Sequence, residues 1–324
     1  MINIAIIGAG QLGSRHLQAL ANSENLLSIQ VIDPSIDSLK TAEIRFNEIA
    51  TNFTGKISYS TDIATLERNI EIAIVATNSK VRRIVIERLI SQSKVKNLIL
   101  EKFLFTKEED YYAIERLLNE NRINAWVNCA RRIIPFYKDL QKELSGNIHF
   151  TAVGNAWGLG CNSIHLLDLF AFFTQTTDIT LSNDLIDKSI LESKRAGYIE
   201  FTGTITGYTD KHSFLITSFP SSSSSPLQIR IDTPNARYSI EEGVTAKVRV
   251  SKMENGWKWE EWTFQMPFQS QMTNRVIEKL LDEGTCDLPS YKESSKLHVL
   301  LLKGFIGVLQ KMNNDNSIDE CLIT

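Results

Sequence analysis

The chain has 324 residues, 43% of them hydrophobic and 23% charged, with a formal net charge of -3. That length suggests about two globular domains, and the balanced charge supplies no general basic field for nucleic acid or an anionic membrane. A small soluble molecule is the expected partner.

Met1 leads directly into an apolar strand pattern at Ile2, Ile4, Ile6 and Ile7, without the cationic region, long apolar stretch and cleavage site of an export signal. From there to about residue 125, short β-branched runs alternate with longer helical patterns, the signature of a parallel sheet wound with helices. Strands are predicted over residues 3–7, 28–32, 57–60, 71–76 and 95–100. Helices are predicted over 11–21, 38–49, 81–91 and 108–121, the last opened by Thr106 as its cap. The reading is an α/β Rossmann domain over residues 1–125.

After a further strand at 125–129 and a helix opening near Pro135, the pattern changes. One strong helix is expected at 163–176, followed by mostly alternating segments from about 199 to 264. Within these, Glu254-Asn255-Gly256 separates runs at 247–251 and 257–264, a hairpin signal. The serines at 221–225, ended by Pro226, read as a solvated loop. Helical patterns at 272–283 and 292–311 close the chain. The most hydrophobic late stretch, 298–309, is interrupted by Lys303 and is shorter than the ~20 residues of a membrane helix. Residues 126–324 are therefore expected to form an α+β domain with a large, mostly antiparallel open sheet. Cys129, Cys161, Cys286 and Cys321 lie far apart without CxxC pairing, which fits a reducing compartment and a cytoplasmic protein.

The chemistry-bearing motif comes first. Gly8-Ala9-Gly10-Gln11-Leu12-Gly13 fits GxGxxG at the end of the first strand and the start of a helix. The first glycine permits the tight turn, the second lets backbone approach a pyrophosphate, and the third lets helix and strand pack closely. Gln11 and Leu12 open the helix whose unpaired N–H groups would receive the anion. Asp33 ends the second strand about 20 residues later, as the dinucleotide fingerprint requires. Its carboxylate can accept bonds from ribose hydroxyls and repels a 2′-phosphate, and no Arg or Lys follows before Lys40, so NAD is favoured over NADP. His16, one turn into the helix, reads as a packing or phosphate-side residue.

In open α/β sheets ligands gather beyond the carboxyl ends of the strands. Thr77-Asn78 and Glu101-Lys102 are therefore expected to face the cofactor. At this motif the chain resembles the Gfo/Idh/MocA family, whose Rossmann domain carries Glu-Lys-Pro after its fifth strand with the lysine in the active site. The likeness extends over essentially the whole chain, through Asn128-x-x-Arg131-Arg132-x-x-Pro135 and through His165-x-x-Asp168. It implies an NAD(P)-dependent oxidoreductase with Lys102 in the active site. By family position it also implies substrate contacts from Asn128, Arg131, Arg132, Trp157, Asn162 and His165.

Removing a hydride from a secondary alcohol requires a base for the hydroxyl proton, and histidine, with an unperturbed pKa near ~6.5, suits that task. His165 and Asp168 share a helix face at i,i+3 spacing, so Asp168 can fix the imidazole tautomer. The resemblance implies a Lys102 close to the nicotinamide, where it would hold the developing alkoxide. The plainer alternatives are a surface ion pair for Lys102, a satisfied half-buried histidine for His165 and solvated charge for the arginines. Two positions depart from the family pattern: Phe103 replaces the proline after Lys102, and Cys161 replaces an aspartate four residues before His165. Cys161, His165 and Asp168 also have ligand-like spacing, but no further Cys or His cluster lies nearby to complete a zinc site, and no metal is expected. Trp257, Trp259 and Trp262 are expected to pack one sheet face, an oligomer face as in similar proteins, making a dimer or tetramer through the C-terminal sheet.

The expected function is hydride transfer between NAD and a secondary hydroxyl or carbonyl of a sugar, polyol or sugar nucleotide, with no nucleic acid or membrane partner. The alternative is a dinucleotide-binding regulatory or structural protein without turnover.

Overall fold

The computed structural model describes residues 1–50, 52–220 and 225–324, so the serine loop expected at 221–225 lies outside the described residues except for Ser225. The helices are α1 (Gln11–Leu20), α2 (Ile36–Asn47), α3 (Ser79–Gln92), α4 (Glu108–Glu120), α5 (Pro135–Glu143), α6 (Leu159–Thr174), α7 (Gln269–Glu283) and α8 (Tyr291–Asn313). Two compact units are present. The first comprises Met1–Phe105, Glu109–Ala130 and Phe268–Ser295, and the second comprises Thr106–Glu108, Arg131–Pro267 and Lys296–Thr324.

The first unit is built on β1 (Ile2–Ile7), β2 (Leu27–Ile32), β3 (Lys56–Ser60), β4 (Asn69–Val75), β5 (Lys94–Leu100) and β6 (Asn124–Val127). All neighbours pair in parallel in the order β3-β2-β1-β4-β5-β6, the order of dinucleotide-binding sheets. Parallel strands covered on both faces must be apolar throughout, and Ile4, Ile6, Val31, Ile72, Ile74 and Leu98 are fully buried. Each such side chain contributes roughly 1.5–3 kcal/mol of burial. The strand order brings the chain ends of β1, β2, β4 and β5 to one edge, which is where the glycine turn, Asp33, Thr77 and Glu101 emerge. The helix predicted at 272–283 starts three residues earlier, as α7, and packs against α1 of this unit. Thr106, expected to cap α4, lies two residues before it and donates its hydroxyl to Glu320 at 2.7 Å.

The second unit carries β7 (His149–Asn155), β8 (Thr180–Ile186), β9 (Leu191–Glu192), β10 (Ile199–Glu200), β11 (Gly203–Tyr208), β12 (Ser213–Phe219), β13 (Leu227–Asp232), β14 (Ala236–Glu242), β15 (Thr245–Lys252) and β16 (Trp259–Gln265). Eight of them form one sheet in the order β16-β15-β14-β13-β7-β12-β11-β8. Only the β7–β12 pair is parallel. Alternation sets its core face: Phe150, Phe214, Ile229, Ile231, Ile240 and Val248 are buried. Phe170 of α6 packs on Phe214 with ring centroids 5.0 Å apart, and Phe173 and Tyr137 continue the aromatic layer.

The hairpin signalled by Asn255-Gly256 is β15–β16, with Ser251 opposite Trp259. Its connection is longer than a two-residue turn and contains a 3-10 turn, Met253–Asn255, followed by Gly256 at φ 68. The expectation that Trp257, Trp259 and Trp262 share a face needs correction. Pairing places Trp262 beside Val248 on the core-facing side, whereas Trp259 lies opposite Ser251, on the other side, because successive strand residues alternate. Arg237 and Arg249 lie over the rings of Trp257 and Trp259 at 5.0 and 5.2 Å.

Candidate functional site

In the first unit the glycine turn leaves β1 and caps α1. Gly8 has φ +94, and a side chain on Gly13 would place its Cβ 1.7 Å from the Gly8 carbonyl oxygen. Gly13 must therefore be glycine for α1 to reach β1. Gly10 is different: it is exposed, it is the N-cap of α1 with no side-chain cap, and its Cβ position has no atom within 4 Å. Open space thus lies directly over the uncapped first-turn N–H groups, with Gln11 exposed and Leu12 half-buried beside it.

Asp33 fastens this turn to the end of β2. One carboxylate oxygen accepts the Ala9 N–H at 2.6 Å and the other accepts the Ser35 N–H at 2.8 Å. An ionised carboxylate offers about four lone-pair sites, so two such bonds leave acceptor capacity for ribose hydroxyls. Thr77, at the end of β4, borders the same turn, since a Cβ on Gly8 would meet the Thr77 nitrogen at 3.0 Å. Its hydroxyl oxygen is buried with no hydrogen-bond partner, the condition of a group that a ligand satisfies. Asn78 follows as the exposed N-cap of α3, also without a side-chain cap bond. Open backbone at a helix N-terminus, a carboxylate at the second strand end and an orphaned hydroxyl fit a dinucleotide.

Glu101 and Lys102 end β5. Lys102 is half-buried and the Lys102–Phe103 peptide is cis. Glu101 is buried and belongs to a closed polar ring. His16 Nε2 lies 2.8 Å from its carboxylate and Asn128 donates to the same oxygen at 2.6 Å. Asn128 also donates to Gln269 at 2.9 Å, Gln269 donates to Thr273 at 2.9 Å, and Thr273 returns to His16 Nδ1 at 2.8 Å. Burial works to raise the Glu101 pKa, but the His16 bond and charge, the Asn128 bond and the Lys102 charge outweigh it, and the carboxyl is held below its ordinary value. The next carbonyls are held from the other side, because the buried guanidinium of Arg82 donates to Phe103 and Leu104, and also to Thr77. Arg82 thereby ties together the chain ends of β4 and β5. No local pattern in the sequence marks it, since its partners are carbonyls.

In the second unit, Arg131 and Arg132 sit on a 3-10 turn, Ala130–Ile133. Arg131 grips Glu242 of β14 through two bonds, Nε to Oε1 at 2.9 Å and Nη2 to Oε2 at 2.5 Å, and Tyr137 donates to the same carboxylate at 2.6 Å. Burial works to raise the Glu242 pKa, but Arg131 and the Tyr137 bond bring it below the ordinary value. Burial, together with Glu242, pushes the Tyr137 hydroxyl well above its own. Arg132 donates to Asp168 at 2.8 Å, both groups being buried, and lies over Phe172 at 5.5 Å.

Trp157 lies in the connection from β7 to α6. Its indole N–H donates to the Thr217 carbonyl at 2.9 Å, and its own carbonyl accepts from Asn162 at 2.6 Å. A cavity of about 360 Å³ in this unit is lined by Arg131, Trp157, Asn162, Leu166, Glu242 and Met266, among others. His165 is half-buried on α6, one residue before Leu166. α6 begins four residues before the predicted start because Glu200 accepts the N–H groups of Gly160 and Cys161, a carboxylate cap from 40 residues away that also accepts the N–H of the neighbouring Phe201. The Cys161 thiol lies 3.7 Å from the Gly158 carbonyl. Among the described residues no group of three or more His, Cys, Asp or Glu side chains is arranged to hold a metal ion.

Residues 2–129 match the model of the Gfo/Idh/MocA oxidoreductase family, NAD-binding Rossmann fold. The N-terminal domain is a Gfo/Idh/MocA domain. No curated protein matches the chain. Among solved structures, an oxidoreductase from Agrobacterium radiobacter, in complex with NAD+, L-tartaric acid and magnesium, superposes with a TM-score of 0.71 at 14% identity, covering 96% of this chain and 97% of that one. The transcriptional regulator Gal80p from Kluyveromyces lactis gives 0.70 at 13%, covering 96% and 90%. UDP-N-acetylglucosamine 3-dehydrogenase GnnA from Acidithiobacillus ferrooxidans gives 0.67 at 13%, covering 93% and 96%. At such identities these likenesses show a shared fold across both units. An enzyme and a regulator on one fold mean that function has to be argued from side chains.

Judged so, the residues expected at the Gfo/Idh/MocA site fall into groups. Gly8, Gly10, Gly13, Asp33, Thr77 and Asn78 meet at one edge of the first sheet, with Glu101 and Lys102 at the end of the adjoining β5. Asn128, expected at the substrate, donates to Glu101 and Gln269 inside the first unit. Arg131, Trp157 and Asn162 line one cavity of the second unit, while Arg132 and Asp168 pair below the surface. Tyr137, Glu200 and Glu242 had no signal in the sequence, because each acts on a partner far along the chain.

Proposed function

We propose that the chain is an NAD-dependent dehydrogenase or reductase acting on a secondary hydroxyl or carbonyl of a sugar or polyol, or of a sugar nucleotide, in the cytoplasm. The observation that carries this reading is the open, uncapped helix N-terminus at Gly10 flanked by the Asp33 carboxylate, in a Rossmann domain of an oxidoreductase family. NAD, when bound, supplies the acceptor or donor of the hydride. The residues of the chain do the rest. First-turn N–H groups of α1 receive the pyrophosphate, and Asp33 accepts from the ribose while opposing a 2′-phosphate.

Lys102 stabilises the developing alkoxide, and His165 takes or returns the hydroxyl proton. Asp168, neutralised by Arg132, stiffens the face of α6 that carries His165. The second unit presents the substrate, and copies of the chain assemble through the outer face of its sheet as a dimer or tetramer.

Calorimetry tests the cofactor assignment. NAD should bind at least about tenfold more tightly than NADP, with the gap narrowed in Asp33→Asn, and tighter NADP binding would refute it. The catalytic assignment is tested by Lys102→Met and His165→Ala. Each should lower kcat by on the order of 10²-fold while NAD affinity barely moves. The double variant shows whether both groups serve one oxygen, in which case its loss is far less than multiplicative.

A further inference from the structure

We infer that the cavity of the second unit selects a neutral polyhydroxylated ligand over carboxylated, phosphorylated or nucleotide-linked ones, and that Glu242 sets this selectivity. The inference rests on reading the second unit as the substrate side, and it narrows the substrate to a free sugar or polyol.

The argument is an account of charge. Arg131 is the cation among the residues lining the cavity, and an unpaired arginine there would be a ready fork for a carboxylate or phosphate. Here both arms of that fork meet Glu242, at 2.9 and 2.5 Å. The Glu242 side chain is 9% exposed and is held again by Tyr137 at 2.6 Å, so the pair is fixed in a single arrangement. Arg132, the next cation along the chain, is likewise neutralised by Asp168. The two charged side chains of the lining, Arg131 and Glu242, therefore carry no net charge, and an anion would have to displace the Glu242 carboxylate to take the same fork of Arg131.

A neutral sugar meets none of this cost. One of its hydroxyls can donate to the lone-pair site that the Arg131 and Tyr137 bonds leave on the Glu242 carboxylate. Its C–H faces find Trp157, whose ring is anchored by its indole bond to Thr217, together with Leu166 and Met266. About 360 Å³ is within the range of small-ligand sites, which combine apolar walls with a few placed polar groups. The low Glu242 pKa keeps the repelling charge in place at neutral pH.

The test uses matched probes with NAD+ present: D-glucose against D-gluconate, D-glucose 6-phosphate and UDP-glucose, the same series built on D-galactose, D-xylose against D-xylonate and UDP-xylose, and myo-inositol against myo-inositol 1-phosphate. Unfolding midpoints report binding, and NADH formation is followed separately. At least one neutral probe should raise the midpoint, with its anionic derivatives at least about tenfold weaker. Glu242→Gln should shrink or invert that preference by releasing Arg131 to anions. Tighter binding of the anionic members to the wild type, or no stabilisation by any neutral probe, would overturn the inference. The wild-type comparison decides the matter even where Glu242→Gln is unstable. Binding of a neutral probe without NADH formation would count against the dehydrogenase reading and leave this selectivity standing.

Discussion

Gly10 and Gly13 are three residues apart in one motif, yet they answer to different forces. A methyl group on Gly13 would collide with the Gly8 carbonyl, whereas one on Gly10 would enter open space. Gly13→Ala should therefore lower stability by at least about 1–3 kcal/mol, the usual cost of overpacking. Gly10→Ala should leave the unfolding midpoint nearly unchanged and weaken NAD binding, because its methyl fills the volume over the α1 N-terminus. Equal loss of stability in both variants would refute this separation. The buried carboxylates add a pH dependence. Glu101 and Glu242 have folded pKa values below their ordinary 4.5, so their stabilisation is present above that pH and is lost as the pH falls through the lower folded values. Acid unfolding should begin below pH 4.5 and be shallower in Glu242→Gln. The glycine fingerprint and Asp33 were legible in the sequence because their constraint is local. Arg131 stood out in the sequence as an expected substrate contact, but nothing in the sequence signalled its ion pair with Glu242, 111 positions away.

At the scale of elements, period and composition located the strands of the first sheet to within one or two residues, since buried parallel strands are continuous apolar runs. The start of α6 was missed for a physical reason. Its first turn has no local side-chain cap and depends on Glu200, whose carboxylate serves three backbone N–H groups. Glu200→Ala would leave the Gly160 and Cys161 donors of α6 unsatisfied and should cost at least about 1–3 kcal/mol by denaturant unfolding. A neutral result would mean that water or another group caps the helix. The helix at 272–283 was recognised by its periodicity, but its packing partner α1 lies some 250 positions earlier and leaves no trace in that period. The three tryptophans show the same limit: composition suggested one aromatic face, and only strand register could separate Trp262 from Trp259.

Across the whole molecule, the first sheet's order follows from the alternation of strands and helices, whereas the eight-stranded sheet inserts β7 between β12 and β13, an order that no local pattern encodes. Self-association through its outer face predicts that analytical ultracentrifugation finds a dimer or tetramer and that Trp259→Glu shifts it toward monomer. A wild-type monomer would remove that proposal. Among the described residues no helix is long and apolar enough to cross a membrane. The central claim is that this Gfo/Idh/MocA domain and its companion unit transfer a hydride to or from a sugar or polyol. It is tested most directly by incubating the protein with NAD+ and the panel of neutral sugars and polyols while following nicotinamide reduction, with Lys102→Met in parallel. The account predicts NADH formation with at least one of them, falling by on the order of 10²-fold in Lys102→Met. NAD+ binding without any NADH across the panel would contradict it and identify a dinucleotide-binding protein without turnover.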